Sequence, residues 1–267
     1  MKHYLGYNQE DYSSDFARFY NEEIQPLSSA VRESLAQSPF PSGSIPPFNQ
    51  VVAMQNAGYA DVETGFSLEP DGAAFVAVLT PMPKVLPAMW DWWFAWHGCA
   101  ADRYKLWHPK AHLDAHWEDG KNDIAYLGRT SIIAEYIGTT LEKASIQFKS
   151  PTELGFLPDP SPANPEAVYV CARIGFVTLP FDIGWLVHQI RSTPEGSEMR
   201  SRFWMGGRYV QMRKKGLVAK KISQVIANIR PVSLQQARNI VIHCSEEMTH
   251  LAAFLPELYY HVHHETP

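Results

Sequence analysis

The second half of the chain constrains the fold most, because a series of strand-like segments there is followed by one long helix. In the clearest segment, AVYVCARIGF, every second residue from Val168 to Ile174 is apolar and small enough to face a core. This alternation is typical of a strand with one buried face. The same reading predicts strands over residues 123–128, 131–138, 145–150, 167–176, 184–193 and 197–206.

A capping signature marks the start of the long helix. Ser233 follows Pro231 by two residues and stands three residues before Gln236, which is the spacing of a capping box. The apolar pattern then continues until Pro256, where the helix should kink or end. Strands followed by a long terminal helix predict an α+β fold, with a curved antiparallel sheet packed on that helix.

The first half of the chain mixes helical and extended segments with proline-rich connections. Residues 38–48 hold several Pro, Ser and Gly residues and should form a loop. His108-Pro109 is typical of a helix start, with His108 at the cap, because proline is tolerated at the first helical position. The remaining predictions are a helix over residues 12–38, a strand over 73–79 and a helix over 87–99.

Composition excludes several classes of protein. The 267 residues carry a formal net charge of −5 and no nucleotide-binding or nucleic-acid-binding motif. The short basic stretch 212–221 is interpreted as solvated surface, and the most apolar window, 88–101, is too short to span a bilayer. We therefore predict no nucleic-acid and no membrane partner. Three widely spaced cysteines suggest a reducing compartment, so the predicted location is the cytoplasm.

Four histidines fall within twenty residues of one another, in a segment rich in tryptophan. They are His97, His108, His112 and His116. On a helix that begins at Pro109, His112 and His116 would share a face. The residue after His112 is leucine and not glutamate, so the pattern of zinc proteases is absent. An ordinary helix with one inward histidine and two exposed ones fits the same spacing.

The long helix and the strands offer further polar groups. His243 and Glu247 are one helical turn apart and His250 follows, so the three lie on one stripe that can offer ligands to a metal. The same spacing suits an interior histidine beside a solvent-facing glutamate. Glutamate is depleted in strands, so an inward Glu135 or Glu142 would need a partner such as a metal ion. His188 stands between apolar same-face neighbours, and a buried histidine there could simply bond to a backbone carbonyl.

Several of these motifs occur together in a known enzyme family. WWFAWHG, then DRYKLWHPKAH, then IHCSEEMTHLAAFLPELY resemble the diacetylphloroglucinol hydrolase and phloretin hydrolase family over roughly residues 75–260. The resemblance implies a Bet v 1-like helix-grip fold, in which a curved antiparallel sheet wraps a long C-terminal helix. It also implies a small N-terminal region, residues 1–70, followed by a catalytic domain over residues 71–267.

The resemblance further implies one Zn²⁺ ion held by two histidines and two glutamates. Carried onto this sequence, the ligands are His112, Glu142, His243 and Glu247, with Glu135 as the rival of Glu142. Tyr104 and His188 are implied as catalytic and substrate-binding residues. Tyr209 is implied as a further substrate-binding residue.

The activity implied by the resemblance is hydrolysis of the carbon–carbon bond between an acyl group and a phloroglucinol-type ring. The partner would be a small phenolic ketone such as diacetylphloroglucinol or phloretin, and the assembly could be a homodimer. Two alternatives stay open. The chain could be a non-catalytic helix-grip carrier of phenolic or apolar ligands, or a zinc enzyme that acts on another β-diketone or aryl ketone.

Overall fold

A nine-stranded antiparallel sheet forms the centre of the molecule. The computed structural model describes residues 6–122, 125–160, 165–214, 216–229 and 231–263. The strands are β1 (Gly65–Leu68), β2 (Ala73–Pro83), β3 (His112–Trp117), β4 (Thr130–Ile137), β5 (Thr140–Lys149), β6 (Ala167–Phe176), β7 (Phe181–Thr193), β8 (Gly196–Gly206) and β9 (Gln211–Met212). The α-helices are α1 (Ser29–Gln37), α2 (Pro87–Trp96), α3 (Ala101–Trp107), α4 (Leu217–Ile229), α5 (Leu234–Ala252) and α6 (Leu255–His263).

The strand order confirms the helix-grip prediction. The strands are arranged β1-β2-β8-β7-β6-β5-β4-β3, and β9 pairs with β7. Strands β3 to β8 are therefore neighbours in the sheet in the same order as in the chain. Strand β2 pairs with β8, and β1 pairs with β2 at the edge of the sheet opposite to β3. Helices α2 and α3 cross from β2 to β3, at opposite ends of this order, and α5 packs against β2, β1 and β4. The chain thus has an α+β fold with a long helix held against one face of an antiparallel sheet.

Both faces of the sheet are covered. Val76, Val170 and Ile190 point to the inner face and pack in one cluster with Val241 and Met248 of α5. The outer face carries a second apolar cluster, to which a 3-10 helix over Phe48–Gln55 contributes. Strand β1, which belongs to the predicted N-terminal region, pairs with β2 and extends the sheet. The boundary at residue 70 stays a prediction.

The capping box at the start of α5 is present as predicted. The Ser233 hydroxyl accepts from the Gln236 backbone N–H, and the Gln236 side chain accepts from the Ser233 N–H. Helix α5 ends at Ala252 and α6 begins at Leu255, so the break falls beside Pro256. Within the residues described, no helix has both the length and the apolar content that crossing a membrane requires.

Three predictions about local structure were wrong or fall outside the described residues. Residues 12–38 are not one helix, because α1 begins only after its cap at Ser28, and short 3-10 turns precede it. The chain after Pro109 forms strand β3 and not a helix, because it pairs with β4. In the predicted strand 123–128, Asp123 and Ile124 lie outside the described residues, and residues 125–128 form no strand.

Candidate metal centre

His112 stands at the first position of β3, fully buried. Its Nδ1 lies 3.0 Å from the backbone carbonyl oxygen of Tyr104, and the two rings stack with centroids 3.8 Å apart. When Nδ1–H donates to that carbonyl, the lone pair of the neutral imidazole is on Nε2 and points into the interior. A carbonyl oriented by α3 therefore prepares His112 as a ligand.

Helix α5 brings two more donor atoms to the same point. The Nε2 atoms of His112 and His243 are 3.4 Å apart, and Glu247 Oε2 lies 3.4 Å from His112 Nε2 and 3.7 Å from His243 Nε2. The donor atoms of these three buried residues all lie within 4.8 Å of one another. The stripe predicted on the terminal helix therefore faces inward, and the alternative of a solvent-facing glutamate is wrong for Glu247.

Glu135 of β4 adds a second carboxylate. Strand pairing places Glu135 directly opposite His112, and its Oε2 lies 3.2 Å from His112 Nε2 and 3.5 Å from His243 Nε2. The Tyr104 hydroxyl donates a hydrogen bond to the same oxygen. Two histidines and two glutamates thus converge from β3, β4 and α5.

The structure does not bring Glu142 to this cluster. Glu142 lies opposite Glu135 on β5, and its side chain is exposed. Neighbouring strands are about 4.8 Å apart, so a residue on β5 is roughly two strand spacings from His112 on β3. The choice between Glu135 and Glu142 depends on strand register, which spacing along the chain does not give. The geometry therefore places Glu135, and not Glu142, beside the two histidines.

The pKa shifts in the cluster indicate that a positive charge between the side chains would be favourable. Burial lowers the pKa of His112, but hydrogen bonds to Glu135 and Glu247 outweigh it and raise the pKa to about 9. Burial also acts to raise the pKa of Glu135, yet the nearby His243 and His112 hold it well below its usual range. The lowered pKa of Glu135 favours its ionised form, and the raised pKa of His112 reflects the negative charge beside it. A proton on His112 can supply the positive charge, and so can a divalent cation.

The distances suit a shared cation. Donors bound to one tetrahedral zinc ion at about 2.0–2.2 Å lie roughly 3.3–3.6 Å from one another. The distance between the two imidazole Nε2 atoms and the four distances from them to the oxygens of Glu135 and Glu247 run from 3.2 to 3.7 Å. His112, His243 and Glu247, whose donor atoms all lie within 4.8 Å of one another, therefore fit such an ion, and Glu135 lies beside both histidines as a fourth candidate donor.

The four clustered histidines have different roles in the structure. His116 is exposed beside Asp114, because a register shift after His112 turns it away from the core. His108 is buried, stacks on His243 with centroids 5.0 Å apart and has Nε2 3.2 Å from Glu246 Oε2. His97 stacks between Trp93 and Tyr104, with Nδ1 2.7 Å from the Trp93 carbonyl oxygen.

His188 lies on the inner face of the sheet, as its apolar neighbours indicated. Its Nδ1 is 2.8 Å from the Ser201 hydroxyl and its ring stacks on Phe94 at 5.8 Å. Burial lowers the pKa of His188 to about 3, so the imidazole is neutral near pH 7. Phe94 also contacts His97, which stacks on Tyr104. A row of aromatic rings thus joins His188 to the cluster.

Tyr209 is not near the cluster. It lies in the outer-face cluster with Phe75 and Trp204, and its hydroxyl accepts from the backbone N–H of Phe48. Tyr209 therefore lies on the other side of the sheet from His112, and the structure does not bring it together with the other predicted site residues. Sequence reasoning also missed the buried indole N–H groups of Trp93 and Trp107, which have no hydrogen-bond partner among the described residues. The sequence feature that could have pointed to them is the high number of tryptophans around His97.

Comparison with known proteins identifies the family of the chain. The DAPG hydrolase PhiG domain family matches residues 45–260. The chain is 27% identical to the 2,4-diacetylphloroglucinol hydrolase of Pseudomonas protegens, covering 91% of this chain and 83% of that protein. It is 29% identical to the phloretin hydrolase of Eubacterium ramulus, covering 96% of this chain and 93% of that protein.

Among solved structures, the chain is similar to Ara h 8.0201, at 10% identity over 64% of this chain and 98% of that one, with a TM-score of 0.34. That overlap is too small to add to the strand order described above. The family match, in contrast, covers most of the chain and contains every member of the His–Glu cluster. The chain belongs to the DAPG hydrolase family.

Proposed function

We propose that this protein is a metal-dependent hydrolase that cleaves the carbon–carbon bond between an acyl group and a phloroglucinol-type ring. The observation that carries the proposal is the convergence of His112, His243 and Glu247, whose donor atoms lie within 4.8 Å of one another, with Glu135 Oε2 3.2 Å and 3.5 Å from the two histidines. Relatives named for diacetylphloroglucinol and phloretin hydrolysis supply the substrate class. The three cysteines are free, which suits the cytoplasm as the place of reaction.

Zinc is the ion that we assign to the cluster, because it binds imidazole and carboxylate ligands in a four-coordinate arrangement. When bound, it supplies a Lewis acid for the acyl carbonyl and lowers the pKa of water from 15.7 towards about 7. The two carboxylates neutralise the charge of the ion and should make it a mild Lewis acid. His112 is held for this role by the Tyr104 carbonyl, and Glu135 by the Tyr104 hydroxyl.

The reaction needs a proton at the ring carbon. Water adds to the acyl carbon, the bond to the ring breaks with its electrons on the ring, and a proton must then reach that carbon. Burial and the neighbouring Glu135 raise the pKa of Tyr104 well above its usual range, so its hydroxyl keeps its proton and acts as a donor. Tyr104 therefore keeps the proton that it donates to Glu135, its oxygen can accept a hydrogen bond from a phenolic hydroxyl of the substrate, and it does not act as a base; the attacking water supplies the proton for the ring carbon.

The aromatic interior suits a polyphenol ring. His188 is neutral, and its Nε2 is the ring nitrogen not occupied by Ser201, so it can exchange a hydrogen bond with a ring hydroxyl. The unpartnered indole N–H groups of Trp93 and Trp107 offer donors to phenolic oxygens. A buried donor without a partner costs roughly 1–3 kcal/mol, which a substrate oxygen would recover.

A matched pair of variants tests the proposal. Glu135→Gln and Glu142→Gln make the same change at facing positions of β4 and β5. Glu135→Gln should lose bound zinc and lower kcat/KM on monoacetylphloroglucinol, diacetylphloroglucinol or phloretin at least about a hundred-fold, since even residues that only orient ligands cost about 10–100-fold. Glu142→Gln should keep about one zinc per chain and stay within about three-fold of the parent rate.

Metal content and turnover together distinguish the competing functions. A purified protein that contains no metal, binds these phenols and releases no carboxylic acid is the carrier. A zinc protein that is inactive on all three acylphloroglucinols but active on another β-diketone is a different hydrolase. Equal losses in Glu135→Gln and Glu142→Gln would rule out the proposed ligand set.

A further inference from the structure

Ser201 on β8 lies directly opposite His188 on β7 in the sheet, and its side chain is fully buried. Its Oγ lies 2.8 Å from His188 Nδ1, a distance at which one of the two groups donates a hydrogen bond to the other. The second ring nitrogen, Nε2, makes no hydrogen bond within the part of the chain that the structure describes. What Nε2 offers to a substrate therefore depends on which group supplies the proton between Ser201 and His188.

A second neighbour of Ser201 decides the direction of this hydrogen bond. The Cys244 thiol of α5, which is buried in the inner cluster, also hydrogen-bonds to the Ser201 side chain. The serine hydroxyl has one proton, which goes either to the imidazole nitrogen or to the thiol sulfur. Sulfur is a weak acceptor, whereas the unprotonated nitrogen of a neutral imidazole is an ordinary one. The arrangement that satisfies all three groups therefore has the thiol donating to Ser201 Oγ and the hydroxyl donating to His188 Nδ1.

The opposite arrangement leaves the buried hydroxyl poorly paired. If Nδ1–H donated to Ser201, the serine proton would have only the sulfur of Cys244 as an acceptor among the described residues. Ser201 is fully buried, so bulk water does not supply a better one, and a poorly paired buried hydroxyl costs free energy. Burial lowers the pKa of His188 to about 3, so near pH 7 the ring is neutral and carries one proton. With Nδ1 accepting from Ser201, that proton is on Nε2.

We propose that Ser201 is a positioning residue that holds His188 in the tautomer with its proton on Nε2, so that His188 donates a hydrogen bond to the substrate's ring oxygen next to the bond that breaks. This role of His188 rests on the proposed function, whereas the tautomer does not.

The chemistry of the cleavage explains why the direction of this donor matters. When the bond between the acyl carbon and the ring breaks, its electron pair is delocalised from the ring carbon onto the neighbouring ring oxygen, which becomes an enolate oxygen. A donor placed where negative charge develops stabilises the transition state more than the ground state. A lone pair on His188 Nε2 would instead repel that oxygen. Ser201 thus makes His188 selective for a substrate oxygen that accepts a hydrogen bond.

Nitrogen NMR of the full chain tests the tautomer without measuring hydrolysis. Protonated and unprotonated imidazole nitrogens resonate in separate ranges, and His188→Gln identifies the two signals by their loss. At pH 7 the parent should have Nε2 protonated and Nδ1 unprotonated in His188. Ser201→Ala should convert this single tautomer into a mixture, because the donor to Nδ1 is gone. A proton on Nδ1 in the parent, or an unchanged tautomer in Ser201→Ala, would overturn the proposal.

Steady-state kinetics on an acylphloroglucinol separate positioning from a purely structural role. Ser201→Ala should lower kcat about ten-fold, as loss of an orienting partner does, and leave KM within about two-fold, since the donor acts on charge that develops after binding. Ser201→Thr retains a hydroxyl and should restore both the tautomer and kcat. Ser197→Ala is the matched control, because it removes another buried hydroxyl of β8 and should keep the parent values.

Failure of this inference and failure of the proposed function give different results. A parent that has the proton on Nε2 but cleaves no acylphloroglucinol refutes the proposed function and the substrate contact of His188, whereas Ser201 remains the group that sets the tautomer. An active parent in which Ser201→Ala raises KM and leaves kcat unchanged would refute the positioning role. Circular dichroism verifies that the variants fold, and the spectrum of the parent tests the tautomer even if Ser201→Thr does not fold.

Discussion

Helices α5 and α4 are neighbours in the chain, yet they use their apolar faces in opposite ways. Helix α5 buries Val241, Met248 and Leu251 in the inner cluster, and an adjoining side of the helix presents His243 and Glu247 to β3 and β4. Helix α4 fully buries only Ser223 and Ala227, packs Ile226 partly against the protein and exposes most of its other aliphatic side chains. Both helices are amphipathic in sequence. The spacing of apolar residues therefore predicts that each helix has an apolar face, but it does not predict what that face contacts.

The difference has a consequence for function. Helix α5 can position two ligands because its backbone is fixed by packing along its whole inner side, and a site needs donors held to a fraction of an ångström. Helix α4 has little packing of this kind. Most of its aliphatic side chains are exposed, so apolar burial stabilises α4 less than it stabilises α5.

The largest expected effect is a contrast in stability between the two helices. Met248→Ala removes a fully buried side chain from the inner cluster and should lower the free energy of unfolding by about 2–5 kcal/mol. Val225→Ala shortens a side chain that is 55% exposed and should change it by less than about 0.5 kcal/mol. Urea unfolding of both variants measures the difference, and a comparable loss in Val225→Ala would show that α4 is covered in solution.

Acid should destabilise the interior before it affects α4. Burial lowers the pKa of His188 to about 3, so between pH 6.5 and about 3 the unfolded chain binds a proton that the folded chain does not. Stability is therefore complete above pH 6.5 and falls as the pH drops through this window. From pH 7 to pH 5 this one residue should account for a loss of about 2 kcal/mol.

Urea titrations at the two pH values test this prediction. His188→Gln should unfold with a smaller difference between pH 7 and pH 5 than the parent. His116→Gln, which changes an exposed histidine, should retain the parent difference. An unchanged pH dependence in His188→Gln would mean that this imidazole is protonated in the folded protein.

The sequence predicted those parts of the fold that depend on local pattern. Alternation identified the strands from β4 to β8, and the Ser233 capping box identified the start of α5. It failed at His112, because HPKAHLDAH has helical spacing and only pairing with β4, with a register shift, makes it a strand. The family resemblance, and not the pattern, pointed to Glu142 with Glu135 as its rival. Which glutamate lies opposite His112 is decided by strand register, a non-local property.

The outer face of the sheet shows a second limit of pattern reading. Tyr209 and His188 both come from the β7–β9 region, but one lies on the outer face and the other on the inner face. The family resemblance, which matches residue types along the chain, does not show on which face of the sheet each residue lies. Similarly, the basic character of residues 212–221 was plain in the sequence, whereas the outward direction of Val225 and Ile229 required the packing of Ser223 and Ala227.

The smallest expected effect concerns the start of α5, where local sequence and site geometry meet. Ser233→Ala removes an acceptor for the Gln236 N–H and should cost about 1 kcal/mol of stability, measured by urea unfolding. Ser233→Asp should restore most of it, because aspartate is an equally good cap and its charge favours the helix N-terminus. His243 is ten residues further along α5, so bound zinc should be equal in both variants. Loss of zinc in Ser233→Ala would show that packing alone does not hold α5 at the site, so α5 would depend on its cap and would not differ from α4 in the way described.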